Sequence, residues 1–188
     1  MLKYIEEAEK CVEITAFRNV GAAKVEKLLK AVARKEPQQV WIQFFNAELI
    51  ATWQHLYFAV LNALVAFKNE RNISKSLAME VMLYASAQRQ IRKAIELMGV
   101  KEETKSVAVV LIGDKPDQIK TALSAVSEAI GAMPDERALE LSEEKAWRIR
   151  EAFLISDEEL EAVKSKDDTE QALVKLVLER VALLATRL

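Results

Sequence analysis

The chain has 188 residues, of which 51% are hydrophobic and 30% are charged, and its formal net charge is −2. This composition favours a well-buried core over wholesale disorder, and the small net charge argues against a protein that binds any nucleic acid indiscriminately. One cysteine, Cys11, excludes an internal disulfide, and the single histidine, His55, excludes a zinc site made of these two residues alone. An acidic N-terminus and the lack of a long apolar stretch predict a reduced, soluble, cytoplasmic protein with no membrane partner.

The first 70 residues contain three predicted strands and two predicted helices. Residues 2–5 and 11–17 have strand-forming side chains and would form a hairpin if they pair. Residues 22–34 place apolar side chains at helical spacing, residues 40–45 are typical of a buried strand, and residues 47–67 are helical. Strands and helices are therefore mixed in this half of the chain.

Residues 72–91, with the sequence NISKSLAMEVMLYASAQRQI, combine an apolar centre with polar ends. The centre is apolar nearly all round, which predicts a central, buried helix. The change of pattern at residues 86–88 predicts a break before a second, amphipathic helix, and Gly99 is placed to end that second helix.

The second half of the chain continues this mixed pattern, and residues 106–112 form its clearest predicted strand. The other predicted elements are a helix capped by Asp114 and closed by Gly131, a short strand at residues 138–141, a helix beginning at Ser142, a helix opened by the Ser156 capping box, and a last helix at residues 169–187. Together they predict a single α+β domain over residues 1–188. Its sheet is small and mostly antiparallel, has about four strands and is covered by many helices.

Charge is spread unevenly along the chain. Residues 66–101 contain seven basic and three acidic side chains, whereas residues 133–170 contain thirteen acidic and six basic ones. This asymmetry predicts two different kinds of surface on one protein.

Enzymatic chemistry has little support in the sequence. The four glycines stand apart, which excludes a P-loop and a dinucleotide-binding fingerprint. His55 lies in an apolar helical segment and is typical of a packed side chain, and Asp114 is explained as a helix cap. Lys75 between two serines could suggest a Ser-Lys nucleophile, but adjacent side chains at a helix start rarely point together and no oxyanion donor is indicated. No cofactor and no metal site are predicted. A small enzyme with an unrecognised site near His55, Lys75 or Asp114 is the alternative hypothesis.

Helix capping leaves Lys75 and Arg89 without an explanation. Asn72 and the serines at positions 74 and 76 can satisfy free amides at the helix start, whereas a lysine there opposes the helix dipole. With those amides, Lys75 and Arg89 form a constellation suited to phosphate groups or an exposed nucleotide end. A solvated Lys75 and an Arg89 paired with Glu80 or a carbonyl are the simpler alternative, and the residues alone favour it.

The terminal helix, TEQALVKLVLERVALLATRL, carries apolar side chains on two faces. One stripe consists of Leu173, Val177 and Leu184, and the other of Val174, Leu178, Val181 and Ala185. One of them packs on the rest of the protein, and the simpler alternative is that both are buried internally, as in an ordinary core helix. Because a chain-terminal helix usually lies at the domain surface, the second apolar stripe indicates a partner protein. The sequence leaves open which stripe faces outward.

A set of short motifs along the chain carries a family resemblance. The motifs are His55-Leu56, Asn72-Ile73-Ser74-Lys75-Ser76-Leu77, Glu80, Leu83-Tyr84-Ala85-Ser86, Arg89-Gln90-Ile91, Ala94-Ile95-Glu96, Gly99 and Leu178-Glu179-Arg180-Val181-Ala182-Leu183-Leu184. Their combination resembles the small regulatory subunit of the KEOPS/EKC complex, related to the human PRPK-binding protein, and its archaeal branch in particular. The resemblance extends over essentially the whole chain.

This resemblance implies a non-catalytic protein that binds the small atypical kinase/ATPase subunit of the complex, mainly through its C-terminal helical part, and stimulates it. The complex installs threonylcarbamoyl on an adenosine of tRNA, and archaeal members of the family are expected to bind the CCA end of tRNA. Carried over to this chain, the kinase-facing residues would be Val174, Leu178, Val181 and Ala185. The RNA-facing residues would be Asn72, Lys75, Arg89 and Arg92.

Overall fold

A computed structural model of the chain describes residues 1–21, 40–164 and 168–186. These residues form a four-stranded antiparallel sheet and seven α-helices, so the predicted α+β fold class is confirmed. The helix predicted at residues 22–34 lies outside the described residues.

The strands lie close to their predicted positions, but two helices are shorter than predicted: the helix predicted at residues 47–67 begins at Trp53, after a 3₁₀-helix at Ala47–Leu49, and the last helix ends at Leu183, before a 3₁₀-helix at Leu184–Thr186. The strands are β1 (Leu2–Ile5), β2 (Lys10–Phe17), β3 (Val40–Asn46) and β4 (Val107–Gly113). The helices are α1 (Trp53–Lys68), α2 (Leu77–Ala85), α3 (Ile91–Met98), α4 (Pro116–Ile130), α5 (Glu143–Phe153), α6 (Asp157–Val163) and α7 (Thr169–Leu183). All four of these strands agree with the predicted bounds to within one residue.

The sheet has the strand order β1-β2-β4-β3, and each neighbouring pair is antiparallel. The predicted pairing of β1 with β2 is confirmed, with Leu2 opposite Glu13. Strand β4 lies between β2 and β3, and all of its residues are buried. Its run of β-branched and aliphatic side chains suits that position, because such residues pack well on a pleated surface.

Helix α4 supplies apolar side chains to the core of the sheet. Ile119, Ala122, Val126 and Ile130 recur at helical spacing along it and pack in one cluster with β-strand residues that include Val109. The helix ends at Gly131, whose φ of 65° is in the left-handed region that glycine adopts without a Cβ clash. The predicted role of Gly131 is therefore confirmed.

The start of α4 differs from the prediction. The N-cap is Lys115 and not Asp114, and the backbone N–H of Lys115 donates to Gln118 Oε1 at 3.1 Å. Pro116 occupies the first helical position, where its missing N–H and fixed φ are tolerated, and this places the helix start one residue later than predicted. The Asp114 carboxylate instead forms an ion pair with Lys10 of β2.

The strand predicted at residues 138–141 is wrong, because Glu136–Leu139 form a 3₁₀-helix. Asp135 nucleates this turn. Its side chain accepts a hydrogen bond from the backbone N–H of Arg137 at 3.2 Å, and its carbonyl accepts from Ala138 N–H at 3.2 Å. Aspartate side chains favour such local bonds to the backbone over extended structure.

Helix α2 is the buried helix predicted from its apolar centre, because its residues from Glu80 to Ala85 are all buried. The predicted break follows it. Ser86 Oγ donates to the carbonyl of Met82 at 2.8 Å, and Ala87 has a φ of 51°, which turns the chain before α3 begins. Helix α3 ends at Met98, directly before Gly99, as predicted.

The chain divides into two compact units. The first comprises Met1–Ala47 with Gly99–Ala138 and holds the sheet and α4; the second comprises Glu48–Met98 with Leu139–Leu188 and holds the other six described helices. The single domain predicted over residues 1–188 stays a prediction.

Candidate functional site

The loop before α2, residues 72–76, is fixed by a carboxylate from inside that helix. Glu80 is fully buried. Both of its oxygens lie 3.0 Å from the Ile73 backbone nitrogen, and Oε2 also accepts from Ser74 N–H at 2.7 Å. A carboxylate removed from water needs such donors, so Glu80 and the 72–76 loop hold one another in place. This role is not predicted from the sequence, because Glu80 is the fourth residue after the N-cap Ser76, whereas a capping box uses the third.

Further hydrogen bonds lie within the loop. Asn72 Nδ2 donates to the carbonyl of Ser74 at 2.9 Å, and Ser74 Oγ accepts from Ser76 N–H at 3.2 Å. Ser76 is the N-cap of α2 and accepts from Met79 N–H at 3.4 Å. Capping is therefore confirmed for Ser76, whereas Asn72 stabilises the turn that leads to it.

Lys75 is exposed near the end of this ordered loop, and the nearby Ile73 is 36% exposed. Within the described part of the chain, Lys75 forms no ion pair. An unpaired cation at a helix N-terminus is electrostatically unfavourable, and an anion bound there would remove that cost. The position therefore suits a negatively charged ligand.

Arg89 is exposed in the break between α2 and α3. Burial and the nearby Glu80 carboxylate both raise the pKa of the Tyr84 phenol, and burial has the larger effect. The guanidinium of Arg89 lowers this pKa. Glu80 and Arg89 thus belong to one electrostatic neighbourhood around Tyr84. Glu80 also holds the loop that carries Lys75. One residue of α2 therefore connects the surroundings of Lys75 with those of Arg89.

Arg92 lies in the first turn of α3 and pairs with Glu96 at 2.8 Å, one turn further along the helix. Both side chains are largely exposed, so the pair contributes only a few tenths of a kilocalorie per mole, in the manner of i,i+4 surface pairs. An incoming phosphate can replace Glu96 at little cost. The RNA-binding role of Asn72, Lys75, Arg89 and Arg92 stays a prediction.

The terminal helix α7 and the 3₁₀-helix Leu184–Thr186 that follows it show which of the two predicted apolar stripes is buried. Leu173, Val177 and Leu184 are buried, so that stripe packs inside the second unit. In the other stripe, Val174 and Leu178 are half-buried, Ala185 is exposed and Val181 is completely buried. Helices α1, α2, α5 and α6 all contact α7, which explains why so much of its circumference is enclosed. Val174, Leu178 and Ala185 are accessible to a partner, and Val181 is not.

His55 is a packed side chain, as its apolar segment predicts. It is completely inaccessible; Nδ1 accepts from Ala51 N–H at 3.3 Å, and Nε2 lies 2.8 Å from the carbonyl of Ala85 at the end of α2. Its ring also meets the Phe153 ring edge-on. Burial lowers the pKa of His55 to about 4, with Lys145 acting in the same direction and the bond to Ala85 opposing them. A neutral ring with both nitrogens engaged cannot exchange protons with a substrate without first breaking these bonds.

Lys145, in the first turn of α5, is a buried cation that the sequence reading also missed. Only 4% of its surface is exposed, and Nζ donates to the carbonyl of Glu140 at 3.1 Å. Burial lowers the pKa of Lys145 to about 8, against the attraction of Glu48 and Glu140. In sequence it reads as one more charged residue of an amphipathic helix, so no local signal could have found it.

The three residues of the enzyme hypothesis have separate surroundings. His55 is enclosed, Lys75 is exposed on the 72–76 loop, and Asp114 pairs with Lys10 in the first unit. Over the described ranges, no group of three or more His, Cys, Asp or Glu side chains could hold a metal ion. No helix in those ranges is long and apolar enough to cross a bilayer.

These features define a small α+β protein in which the predicted RNA-facing residues lie on a carboxylate-held loop, in the break after α2 and in the first turn of α3. The chain belongs to the kinase binding protein CGI-121 family, whose model matches residues 17–185. The resemblance to the small KEOPS/EKC regulatory subunit is thereby confirmed.

Three curated proteins are similar to this chain. The regulatory protein Cgi121 of Methanocaldococcus jannaschii is 36% identical over 113 residues, which cover 60% of this chain and 70% of that protein. The EKC/KEOPS complex subunit CGI121 of Candida glabrata is 29% identical over 118 residues, 62% of this chain and 63% of that protein. The subunit of the same name from Coccidioides immitis is 24% identical over 132 residues, 68% of this chain and 63% of that protein. The matches thus span just under two thirds of each fungal protein.

Proposed function

We propose that this protein is a non-catalytic subunit of a KEOPS complex, which binds and stimulates the small atypical kinase/ATPase subunit and helps recruit tRNA for threonylcarbamoyladenosine modification. The observation that carries the proposal is the family match over residues 17–185. The family is described as kinase-binding, and the relatives are named as regulatory proteins or EKC/KEOPS complex subunits.

The kinase-binding part of the proposal assigns the contact to three accessible residues near the end of the chain, namely Val174 and Leu178 of α7 and Ala185 of the 3₁₀-helix that follows it. Two of them are half-buried and apolar, a state typical of side chains that complete their burial against a partner. Val181, which the sequence reading includes in this stripe, supports the helix from within because it has no accessible surface.

The tRNA-binding part assigns the contact to the 72–76 loop with Arg89 and Arg92. Its support is the unpaired Lys75 at a helix start, the locally basic stretch at residues 66–101 and the rigid backbone that Glu80 provides. Phosphate groups are the anions that such a combination of cations and ordered loop suits. The CCA end of tRNA is single-stranded, so its phosphates and bases are open to a loop of this size.

One experiment separates the two parts. The protein is immobilised and incubated with the purified kinase subunit and with bulk tRNA, at low and at high salt. We expect kinase capture at both salt concentrations and tRNA capture that weakens with salt, because phosphate contacts release counterions. A wild-type protein that captures no kinase would overturn the proposed function.

A variant pair tests the tRNA site. Lys75→Ala with Arg89→Ala is expected to reduce tRNA capture and to leave the fold intact, because both side chains are exposed. Lys120→Ala, which removes an exposed lysine from α4, is the matched control and should bind tRNA normally. Unchanged tRNA capture by the double variant would remove the RNA-site assignment and leave the kinase-binding role standing.

A further inference from the structure

The turn that ends α2 has a backbone conformation that its residues do not favour. Ala87 has a φ of 51°, in the left-handed region where a side chain with a Cβ is strained. The exposed Arg89 follows two residues later. Strained backbone persists only where its surroundings fix it, so the contacts at the end of α2 determine where Arg89 lies.

Two kinds of hydrogen bond fix this turn. Three consecutive backbone N–H groups donate to carbonyls of α2 at 3.0 Å, namely Ser86 to Met82, Ala87 to Tyr84 and Gln88 to Leu83. Ala85, the last residue of α2, is completely buried, and its carbonyl lies 2.8 Å from His55 Nε2 on α1. Carbonyls in the last turn of a helix lack donors within the helix, so His55 supplies from another element a bond that α2 does not.

The surroundings of His55 determine which of its nitrogens carries the proton. The backbone N–H of Ala51 lies 3.3 Å from Nδ1 and can only donate, so Nδ1 is the acceptor. Burial lowers the pKa of His55 to about 4, so the ring is neutral at pH 7 and its one N–H is at Nε2. His55 therefore donates to the carbonyl of Ala85.

His55 is itself held in place. Its ring is completely inaccessible, and its partner Ala51 is completely buried as well. The ring also meets the ring of Phe153 on α5 edge-on, with the centroids 5.6 Å apart. A side chain that is fixed by packing and by a second hydrogen bond provides a rigid support for the group to which it donates.

The two ends of α2 are built in the same way. Glu80 is fully buried and holds the loop that carries Lys75, and His55 is fully buried and bonds to the end that leads to Arg89. The helix between them has nine residues and is therefore about 13 Å long. A buried imidazole costs desolvation that an apolar side chain would not, so a polar residue at position 55 calls for a role.

We propose that His55 is a positioning residue of the tRNA site, because its bond from Nε2–H to the carbonyl of Ala85 fixes the turn at residues 86–88 and thereby the place from which Arg89 meets a phosphate. This inference rests on the proposed function. His55 acts through Arg89 and has no contact with RNA. The affinity for tRNA then depends on one of the two hydrogen bonds of His55 and not on the other.

Two amide variants separate these hydrogen bonds. The amide of His55→Gln reaches the place of Nε2 and can donate to Ala85, whereas the amide of His55→Asn reaches only the place of Nδ1 and can accept from Ala51. We expect the affinity for tRNA to fall about fivefold or more in His55→Asn and to stay within about twofold of the wild type in His55→Gln. Equal affinities of the two variants would overturn the inference.

A control variant accounts for the stability that both amide variants lose with the ring contact to Phe153. Leu160→Ala removes a buried side chain from α6, at a distance in the fold from the end of α2, and lowers stability by creating a cavity. It should bind tRNA like the wild type. Circular dichroism shows that each variant is folded under the conditions of the binding measurement.

A double-mutant cycle tests whether the effect passes through Arg89. With Arg89→Ala in place, adding His55→Asn should change the affinity for tRNA by less than about twofold, because the contact that His55 positions is already absent. With Lys75→Ala in place, at the other end of α2, His55→Asn should keep its full effect. An effect of equal size in both backgrounds would indicate a general loosening of the fold and would overturn the inference.

The tautomer of His55 can be measured on the unaltered protein. The chain has one histidine, so the imidazole nitrogen signals in an NMR spectrum need no further assignment. We expect the nitrogen shifts of a neutral ring that is protonated at Nε2, with slow exchange of that proton. A neutral ring protonated at Nδ1 cannot donate to Ala85 and would overturn the inference, even if neither amide variant folds.

Failure of this inference is distinguishable from failure of the proposed function. If the wild type binds tRNA and His55→Asn binds it equally well, the inference fails and the proposed function stands. If Arg89→Ala binds tRNA like the wild type, Arg89 is not part of the site, and the role of His55 fails with that assignment. If the wild type captures no tRNA, the tRNA-binding part of the proposed function fails, and the inference fails with it.

Discussion

Both carboxylate oxygens of Glu80 lie 3.0 Å from the backbone nitrogen of Ile73, seven residues earlier in the chain. One of these oxygens also accepts from Ser74 at 2.7 Å. A side chain in the first turn of a buried helix thereby determines the path of the loop that precedes the helix. The conformation of the proposed RNA-binding loop depends on a residue that has no accessible surface.

Replacing Glu80 should therefore affect both stability and tRNA binding. Glu80→Gln keeps the shape but removes the charge and turns an amide N–H₂ towards amide donors, so the free energy of unfolding should fall by roughly 1–3 kcal/mol. Urea unfolding measures this loss. The affinity for tRNA should fall as well, although Lys75 is unchanged, because the loop loses its anchor.

Glu96→Gln provides the comparison for that experiment. Glu96 is an exposed carboxylate on α3 that pairs with Arg92, so its replacement should change the free energy of unfolding by less than about 0.5 kcal/mol. If tRNA affinity stayed unchanged in a destabilised Glu80→Gln protein, the ordered loop would not be the binding element.

The contribution of Lys75 can be read from the dependence of tRNA binding on salt. A lysine that contacts one phosphate of a single strand contributes about 0.7 to the slope of log K against log salt. Lys75→Ala should reduce the slope by about that amount, with little change in the free energy of unfolding. Fluorescence titrations at four salt concentrations give the slope, and an unaltered slope would show that Lys75 contacts no phosphate.

The two stripes of α7 should respond differently to substitution. Leu173 is buried, so Leu173→Ala should leave a cavity and lower the free energy of unfolding by about 2–5 kcal/mol. Leu178 is half-buried, and Leu178→Glu should weaken kinase binding by about tenfold or more with a smaller effect on stability. Parallel measurements by chemical unfolding and calorimetry separate these effects. Retained kinase binding by Leu178→Glu would remove this helix from the interface.

His55 should make stability depend on pH below neutrality. Its pKa is about 4 in the folded protein and 6.5 in the unfolded chain, so the unfolded chain binds the extra proton between these values. The free energy of unfolding should be unaffected by His55 above pH 6.5 and should fall by roughly 3 kcal/mol as the pH drops to about 4. Unfolding of the wild type and of His55→Gln is compared across this range.

The difference between those two proteins isolates the imidazole, because the chain has one histidine. His55→Gln should be less stable than the wild type at pH 7, since its amide cannot reproduce both ring contacts, and the gap should narrow as the pH falls. Parallel curves with a constant gap would show that the ring is not held neutral.

Leu154 ends α5 with a φ of 53°, and its side chain is 85% exposed. This left-handed conformation costs a residue with a Cβ about 1–2 kcal/mol relative to glycine. Leu154→Gly should therefore raise the free energy of unfolding by about 1 kcal/mol. Leu154→Ala removes the same exposed side chain and keeps the Cβ, so it should give no such gain. Thermal melts of the two variants decide the point.

The features that the sequence predicted correctly depend on local patterns. The β-branched apolar run at residues 106–112, the apolar circumference of α2 and the Ser156 capping box are each contained within a few residues. The capping box has the expected geometry, with Ser156 N–H donating to Glu159 and Glu159 N–H donating to Ser156 Oγ. Local patterns of this kind are read reliably because their partners are near in the chain.

The features that the sequence did not predict depend on partners further away or on the path of a loop. Asp114 has the residue type of a helix cap, but Lys10, more than 100 residues earlier, engages its carboxylate. Val181 shares a stripe with Leu178, yet it is buried because the helices around α7 enclose that position. Glu80 accepts hydrogen bonds from the 72–76 loop, and no short sequence motif predicts the conformation of that loop. Each outcome follows from tertiary packing, which a residue pattern does not contain.

Because Glu80 holds peptide groups of the 72–76 loop, the turn does not depend on the identity of the side chain at position 75. The path of the loop backbone and the side chain at position 75 can therefore be changed independently. The Lys75 side chain can be exchanged for an acidic, aromatic or aliphatic one while the turn and the buried α2 keep their geometry. A single substitution at position 75 therefore changes the chemistry that this loop presents without changing its path, which makes position 75 a site for engineering a new recognition element onto a stable scaffold.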